Sequence, residues 1–254
     1  MSETAAAIRA EFTKLRGVRG TYTALLLFVP FSVFIAALGG WSAKGAIDSG
    51  SPGLRADFTP GQAGLDGILY GQLTLIVFGV LMFSSEYVSG MMRVSLLAVP
   101  RRGRLYAAKM AVTAGAAVTV AVPVTVVGYL VTQLALGPHG APIDASGVPR
   151  ALIGAVVYLT LMSLFAAGAA AVARSAVVPL AILLPMVLAG SQILSVLGAT
   201  KEVARYFPDR AGAQMLTINS TNAYTGFVVL LLWTAAALAA GYVRHSRWEP
   251  SGPG

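Results

Sequence analysis

The sequence contains no cysteine, and only 11% of its 254 residues are charged. Without cysteine the chain can form no disulfide scaffold and offers no thiolate to a metal. A soluble domain carries about 25% charged residues, more than twice this fraction. With 56% hydrophobic residues and a mean hydropathy of +0.74, most of the chain must face lipid rather than water. The composition therefore indicates an integral membrane protein.

Six segments of the chain are each long and apolar enough to form the helix of about 20 residues that crosses a bilayer. They are residues 21–40, 67–85, 107–136, 151–173, 175–199 and 222–243. Arg174 separates the fourth and fifth segments, and we predict a tight turn there because an arginine at mid-bilayer costs at least ~2.5–3.5 kcal/mol. Residues 1–254 are therefore predicted to form one transmembrane domain of the all-α class, with six spanning helices. A cleaved signal peptide that ends at Ala37-Leu38-Gly39 is the alternative interpretation of the first segment.

Basic residues are concentrated on one side of the predicted bundle. Twelve of the eighteen Lys and Arg residues, and four of the ten acidic residues, fall on the side that holds both termini, the loop after the second span and the Arg174 turn. This side carries the whole net charge of +8. Because loops rich in Lys and Arg stay in the cytoplasm, we expect cytoplasmic termini and a location in the plasma membrane. Membrane orientation and attraction to anionic lipid headgroups account for the excess of basic over acidic residues, so no nucleic-acid partner is expected.

The N-terminal leader, residues 1–20, has the pattern of an amphipathic helix. Its apolar residues recur at spacings of three and four: Ile8, Phe12, Leu15 and Val18. Charged residues occupy much of the remaining surface: Arg9, Glu11, Lys14, Arg16 and Arg19. We expect the apolar face to lie in the headgroup layer and the charged face to point toward the cytosol. The leader is then either an orientation anchor alone or a docking surface for a cytoplasmic partner, formed by Phe12, Lys14, Leu15 and Arg16.

Residues 86–106, between the second and third spans, form a second cytoplasmic element. Glu86 ends the apolar run at the membrane surface, and Gly90 allows a sharp corner in the backbone. A short apolar helix over Met91–Leu97 is predicted to follow and to stop near Pro100. A helix rich in Met and Leu can pack into the groove of a partner protein, although a resting position at the membrane interface is the alternative.

The motif Glu-x-x-x-Gly-x-x-Arg-x-Ser-Leu that begins at Glu86, closed by Pro-Arg-Arg and a later Lys, resembles a loop of ABC-2 type transporter permeases. The resemblance extends to the six spans, the leader ending in Lys-Leu-Arg, the tight turn between spans four and five, and the outer segment Phe207–Gly212. Met91-Met92 departs from the family, where a Thr and another aliphatic residue are commoner. In that family the loop is a coupling helix that sits in a groove of the ATP-binding subunit. The resemblance implies that contact with such a subunit involves Glu86, Gly90, Met91, Met92, Arg93, Leu96, Leu97, Arg101 and Arg102.

The sequence has no Gly-x-x-x-x-Gly-Lys-Ser/Thr motif, the loop that cradles nucleotide phosphates. ATP and Mg²⁺ are therefore expected on a partner subunit, and neither a catalytic residue, a cofactor nor a metal is expected in this chain. His139 and His245 are too scattered for a metal site. Asp66 and Glu86 bracket the second span rather than interrupt it. The spans thus lack the ionisable groups that a carrier coupled to protons or sodium usually needs.

A few polar residues lie at membrane depth. Those that could line a transport path are Gln72, Gln133, Ser191, Gln192 and Ser195. Hydrogen bonding between helices, worth about 0.6 kcal/mol for each bond, is the alternative role. Residues 200–221 are predicted to form an extracytoplasmic loop. In related permeases the corresponding stretch contains short re-entrant helices, but an ordinary surface loop has the same composition.

Together these patterns predict the membrane subunit of an ATP-driven transporter, which exports a lipophilic compound such as a drug, an antibiotic, a lipid or a peptide. The expected partners are an ATP-binding-cassette ATPase, a second copy of the chain or a related permease, and membrane lipids. Two alternatives remain: a non-transporting anchor or sensor that recruits a cytoplasmic ATPase, and a secondary carrier.

Overall fold

The structure, a computed structural model, describes residues 3–17, 19–50, 58–98, 101–197 and 200–247, and within these ranges all regular structure is helical. The α-helices are α1 (Glu3–Gly17), α2 (Arg19–Asp48), α3 (Pro60–Val88), α4 (Met91–Ala98), α5 (Arg102–Leu136), α6 (Val148–Ala173), α7 (Val177–Pro185), α8 (Ser191–Val196), α9 (Lys201–Ala204), α10 (Pro208–Ala213) and α11 (Ala223–Ser246). A 3₁₀ turn, Gly137–His139, follows α5. Val18 and Pro100, predicted in the leader and at the end of the short helix, lie outside the described residues.

Six helical segments are long and apolar enough to cross a membrane, which confirms the prediction of six spans. They are Arg19–Asp48, Pro60–Tyr87, Arg102–His139, Val148–Ala173, Val177–Val196 and Ala223–Ser246. Several helices extend beyond the predicted apolar segments, because a helix can continue through polar residues at its ends. For example, α3 begins at Pro60, where the Thr59 side chain accepts a hydrogen bond from the Gln62 backbone N–H at 3.3 Å.

Helices α3 and α6 form the centre of the bundle and are its two most buried spans. They pack so closely that a Cβ added at Gly79 would clash with the backbone carbonyl of Ser163. Helix α2 packs on α3 and α5, α11 packs on α6, and α7 contacts both central helices. The short helix α1 lies against α5 and α2.

The bundle has two ends. The α4 side holds α1, α4, the turn between α6 and α7, and the end of α11, whereas the α10 side holds α9, α10 and the connection between α5 and α6. The predicted turn at Arg174 is present: α6 ends at Ala173, and Arg174 adopts a left-handed φ of 52°. Its guanidinium donates a hydrogen bond to the carbonyl of Arg244 at 2.6 Å, which ties this turn to the end of α11.

The fifth span is interrupted between α7 and α8. Helix α7 ends at Pro185, a π-helical segment over Met186–Gly190 follows, and α8 continues to Val196. Proline donates no backbone hydrogen bond and crowds the preceding turn, and single π turns inside α-helices absorb such irregularities, frequently beside functional sites. Val187 and Leu188 of this segment line a cavity toward the α10 side.

Candidate functional site

Four charged side chains from three helices meet at the α4 side, and we call them the charge cluster: Glu11 and Lys14 of α1, Glu86 of α3 and Lys109 of α5. Lys109 Nζ donates hydrogen bonds to Glu11 Oε2 at 2.6 Å and to Glu86 Oε1 at 2.8 Å. Lys14 Nζ donates to Glu11 Oε1 at 2.6 Å and to Glu86 Oε1 at 2.9 Å. Each ammonium therefore bridges both carboxylates, and the four charges sum to zero.

The charge cluster is enclosed by protein. Glu11, Glu86 and Lys109 expose only 1%, 3% and 2% of their surface. A buried ion costs several kcal/mol in desolvation, so mutual pairing is what stabilises these groups in their charged forms. At Lys14, burial alone lowers the pKa, but the hydrogen bonds and charges of Glu11 and Glu86 outweigh it and raise the pKa above its usual value. The Lys14 ammonium is therefore held in its charged form.

Helix α4 joins the charge cluster through Ser95. Lys14 Nζ donates a hydrogen bond to Ser95 Oγ at 2.8 Å. The Ser95 hydroxyl in turn lies 3.0 Å from the Met91 carbonyl and 3.5 Å from Glu86 Oε2. Helices α1, α3, α4 and α5 thus share one polar network, and a displacement of α4 would strain its bonds to α1 and α3.

Helix α4 has one face packed on the chain and another face that is open. Met92 is buried in the hydrophobic core, 1% exposed, and Ser95 lies beside the charge cluster. Met91 and Leu97 are 39% and 83% exposed. Gly90, directly before the helix, has a φ of +71°, a left-handed conformation that favours glycine. This backbone corner sets the direction of α4 relative to α3.

The residues predicted to contact an ATP-binding subunit differ in their placement. Exposed on the α4 side are Gly90, Met91, Leu97 and Arg101. Glu86 and Met92 are buried, so they can act on a partner only through their neighbours. Arg102 donates a hydrogen bond to the carbonyl of Ser246 at 2.6 Å and so connects the start of α5 to the end of α11. The side chains of Arg93 and Leu96 lie outside what the structure describes.

The leader forms α1, but its inner face differs from the predicted one. Leu15 is buried in the core, and Glu11 and Lys14 turn inward to the charge cluster. The prediction that Glu11 and Lys14 face the cytosol is wrong. Helical periodicity assigns charged residues to the solvent side, and it contains no information about opposite charges on neighbouring helices. Phe12 remains 45% exposed. The Arg16 side chain lies outside the part of the chain that the structure describes.

A cavity of about 920 Å³, which we call the chamber, lies toward the α10 side between α3, α6, the fifth span and α11. Residues 201–217, which contain α9 and α10 and which we call the α9–α10 loop, also line it. Gln72, Gln192 and Ser195, three of the five residues predicted for a transport path, line it. Gln72 is satisfied within the chain: the Tyr158 hydroxyl donates to its Oε1, and its Nε2 donates to the Leu69 carbonyl at 2.6 Å.

The other two predicted path residues, Gln133 and Ser191, do not line the chamber and instead hydrogen-bond neighbouring elements to one another. Gln133 Nε2 donates a hydrogen bond to the Pro60 carbonyl at 2.9 Å, and its Oε1 accepts one from the Ala141 backbone N–H at 2.8 Å. The Ser191 hydroxyl donates to Asp209 Oδ2. Ser191 therefore links the fifth span to α10.

Asp209 is a chamber residue that sequence reasoning missed, because an aspartate in a polar loop between Pro208 and Arg210 gives no sign of burial. Its side chain lines the chamber, yet the residue is only 5% exposed. Its Oδ1 is buried and receives no hydrogen bond from the described part of the chain. Burial raises the pKa of Asp209 above its usual value, although the hydrogen bond from Ser191, backbone N–H groups and the positive charge of Arg210 oppose this effect. Buried polar atoms are rarely left unpaired, so this oxygen is a candidate for a hydrogen bond from a ligand.

Residues 7–196, about three quarters of the chain, match a family model described as ABC-2 family transporter protein. The matched region includes the charge cluster, α4 and five of the six candidate spans. The α9–α10 loop and α11 lie beyond it. No curated protein gives a significant match to the sequence.

Proposed function

The chain belongs to the ABC-2 family of transporter proteins, and we propose that it is the permease subunit of an ATP-binding-cassette transporter that exports a lipophilic compound. ATP and Mg²⁺ would be bound by a separate ATPase subunit, since the sequence has no phosphate-binding loop of its own. Two copies of the chain, or one copy with a related permease, would pair with two such ATPase subunits.

The proposed orientation places the α4 side in the cytoplasm of a cell whose plasma membrane holds the protein. The concentration of Lys and Arg on this side supports it, because positively charged short loops are retained in the cytoplasm. In this orientation both termini, α1 and α4 face the compartment that contains ATP. The chamber then lies toward the outer surface.

The observation that carries the proposal is that α4 has two different faces. One face is apolar and exposed, and the other is attached to the rest of the chain. Met91 and Leu97 are exposed, which suits a helix that docks in a groove of the ATPase. Ser95 and Met92 fasten the same helix to the rest of the chain. A push on α4 would therefore reach α1, α3 and α5 through the charge cluster. Because α3 is a central helix and lines the chamber, its tilt would change access to the cavity.

The chamber also favours transport over a role as a simple membrane anchor. Small-molecule sites typically enclose about 300–1,000 Å³, and the chamber, at about 920 Å³, is of this size. A protein that only recruits an ATPase has no use for such a cavity. The interrupted fifth span beside the chamber is a feature often found at functional sites.

Reconstitution tests the proposal. Vesicles that contain this chain together with its ATPase should hydrolyse ATP faster when a transported lipophilic compound is added, and should move that compound only while ATP is present. Vesicles with this chain alone should do neither. ATP-independent movement by the chain alone, or an ATPase that no compound in a broad lipophilic panel stimulates, would overturn it.

A further inference from the structure

Three helices that line the chamber change from polar to apolar in the same direction. The pairs, each with its polar member nearer the α10 side, are Asp66 and Leu73 on α3, Ser195 and Val187 on the fifth span, and Asn222, directly before α11, and Val229 on α11. Each change takes place over seven or eight residues, a rise of about 10–12 Å at 1.5 Å per residue. The agreement among three separate helices shows a chamber with a polar outer part and an apolar inner part.

Gln72, an amide side chain in the wall next to Leu73, already hydrogen-bonds within the chain through both its oxygen and its nitrogen. Tyr158 and the Leu69 carbonyl take up both ends of this amide. A ligand in the inner part therefore meets the side chains of Leu73, Val187 and their neighbours. Such a surface suits an aliphatic chain, because burial of apolar area contributes roughly 25 cal/mol per Å².

The outer part of the chamber presents charges of both signs. The buried Oδ1 of Asp209 has no hydrogen-bond donor among the described residues. Lys201 has an exposed side chain that enters no ion pair in the described part of the chain. Arg210 donates to Ser195 Oγ at 2.8 Å and adds a second positive charge. A ligand of a single charge would pair with one kind of group and leave the other kind without a partner of opposite charge, whereas a ligand with both charges could pair with each.

We infer that the chamber binds an amphiphile with a zwitterionic headgroup, held with its headgroup at Asp209, Lys201 and Arg210 and its aliphatic chain toward Leu73 and Val187. The cationic group of the ligand would meet Asp209 Oδ1, and its anionic group would meet Lys201 and Arg210. This inference rests on the proposed function and narrows the lipophilic compound to one chemical class in one orientation.

Photo-crosslinking of the full chain, purified in nanodiscs without any ATPase, tests the inference. Two lysophosphatidylethanolamine probes are used, one with a diazirine at the end of its acyl chain and one, the headgroup probe, with a diazirine on the glycerol beside the phosphate. Both probes keep the free amine and the phosphate. The chain-end probe should label peptides that contain Leu73 and Val187, and the headgroup probe should label residues 201–214. An excess of unlabelled lysophosphatidylethanolamine should suppress both. An alkyl phosphate and an alkylammonium of equal chain length should compete at least ten times more weakly.

Variants with matched controls complete the test. Asp209→Asn and Lys201→Gln should each reduce labelling of the chamber about tenfold, whereas Asp48→Asn and Lys44→Gln, a pair on the same side but outside the chamber wall, should leave it unchanged. Labelling that spreads over the outer surface of the bundle, or that resists competitor and variants alike, would overturn the inference. Competition by the alkyl phosphate or by the alkylammonium that equals competition by lysophosphatidylethanolamine would contradict the requirement for a zwitterionic headgroup. Because no ATPase is present, any of these failures leaves the permease proposal to be judged by ATP-driven transport.

Discussion

Lys109 of α5 and Glu86 of α3 form an ion pair of 2.8 Å in which neither side chain is more than 4% exposed. Glu11, from the N-terminal helix α1, adds a second carboxylate to the same ammonium at 2.6 Å. The pair therefore holds together the two helices that α4 connects, and it fixes α1 against both. The charge cluster therefore links α1, α3 and α5 through buried ion pairs.

Removal of Lys109 should destabilise the protein strongly. In Lys109→Met, the buried carboxylates of Glu11 and Glu86 keep only Lys14 as a counter-ion, and loss of one partner of a buried pair typically costs about 3–5 kcal/mol. We expect a clear fall in Tm, measured by thermal unfolding in detergent. The control is Lys44→Met, which breaks the exposed pair with Asp48 and should cost about 0–1 kcal/mol. Equal Tm values for the two variants would show that the charge cluster adds no stability.

Close packing of the central helices predicts that Gly79→Ala is also destabilising. The added methyl group would meet the Ser163 backbone, which cannot rotate away, and overpacking typically costs about 1–3 kcal/mol. Gly115→Ala on α5 is the control, because a Cβ there meets nothing within 4 Å. The first variant should lower Tm and the second should leave it unchanged or raise it slightly. The opposite order would contradict the packing of α3 on α6.

Loss of the Ser95 hydroxyl should weaken communication without unfolding the protein. Ser95→Ala removes the hydrogen bond from Lys14 to α4 but keeps both bridges between the carboxylates and the ammoniums. We expect compound-stimulated ATP hydrolysis of the reconstituted complex to fall several-fold, while Tm changes little. Ser89→Ala is the matched control, since among the described residues the Ser89 hydroxyl donates to the Ser85 carbonyl and does not bond to the charge cluster. Full stimulation in Ser95→Ala would argue against this bond as a route of transmission.

The buried carboxyl of Asp209 predicts a pH-dependent stability difference. Its pKa in the folded chain is raised above the usual 3.8, so the folded state holds the proton more tightly than the unfolded state does. Stability from this group is therefore fully present below the unfolded pKa and is lost as the pH rises through the folded pKa. Asp209→Asn cannot ionise. Its Tm relative to the unchanged protein should therefore be higher at neutral pH than near pH 4, and a difference that is constant with pH would contradict the burial.

The spans and the Arg174 turn could be predicted from sequence because a charge at mid-bilayer carries a large penalty. Because of this penalty, each apolar span ends close to the charged residues that flank it. This holds for any packing of the helices. The exact helix ends could not be predicted, since caps such as Thr59 lie outside the apolar run. The interruption after Pro185 likewise depends on local backbone geometry.

The charge cluster could be predicted only in part. Glu86 and Lys109 carry opposite charges at adjoining ends of consecutive spans, so their pairing could have been proposed from the sequence. The contribution of Glu11 could not be predicted, because the leader sequence does not indicate which face of its helix packs on the bundle. The leader pattern likewise predicts Leu15 at the lipid surface, whereas in the structure Leu15 packs in the core. The burial of Asp209 could not be predicted either. It depends on how the α9–α10 loop folds over the chamber, and hydropathy gives no information about this.

The contact between α4 and an ATPase is the central claim, and site-specific photo-crosslinking in intact cells tests it most directly. A photo-crosslinking amino acid replaces Leu97 on α4 or, as a control, Val203 on the opposite side, which is 62% exposed. We expect the probe at position 97 to capture an ATP-binding-cassette ATPase and the probe at position 203 to capture none. Absence of an ATPase at position 97 in a correctly inserted protein, or its capture at position 203, would contradict the account.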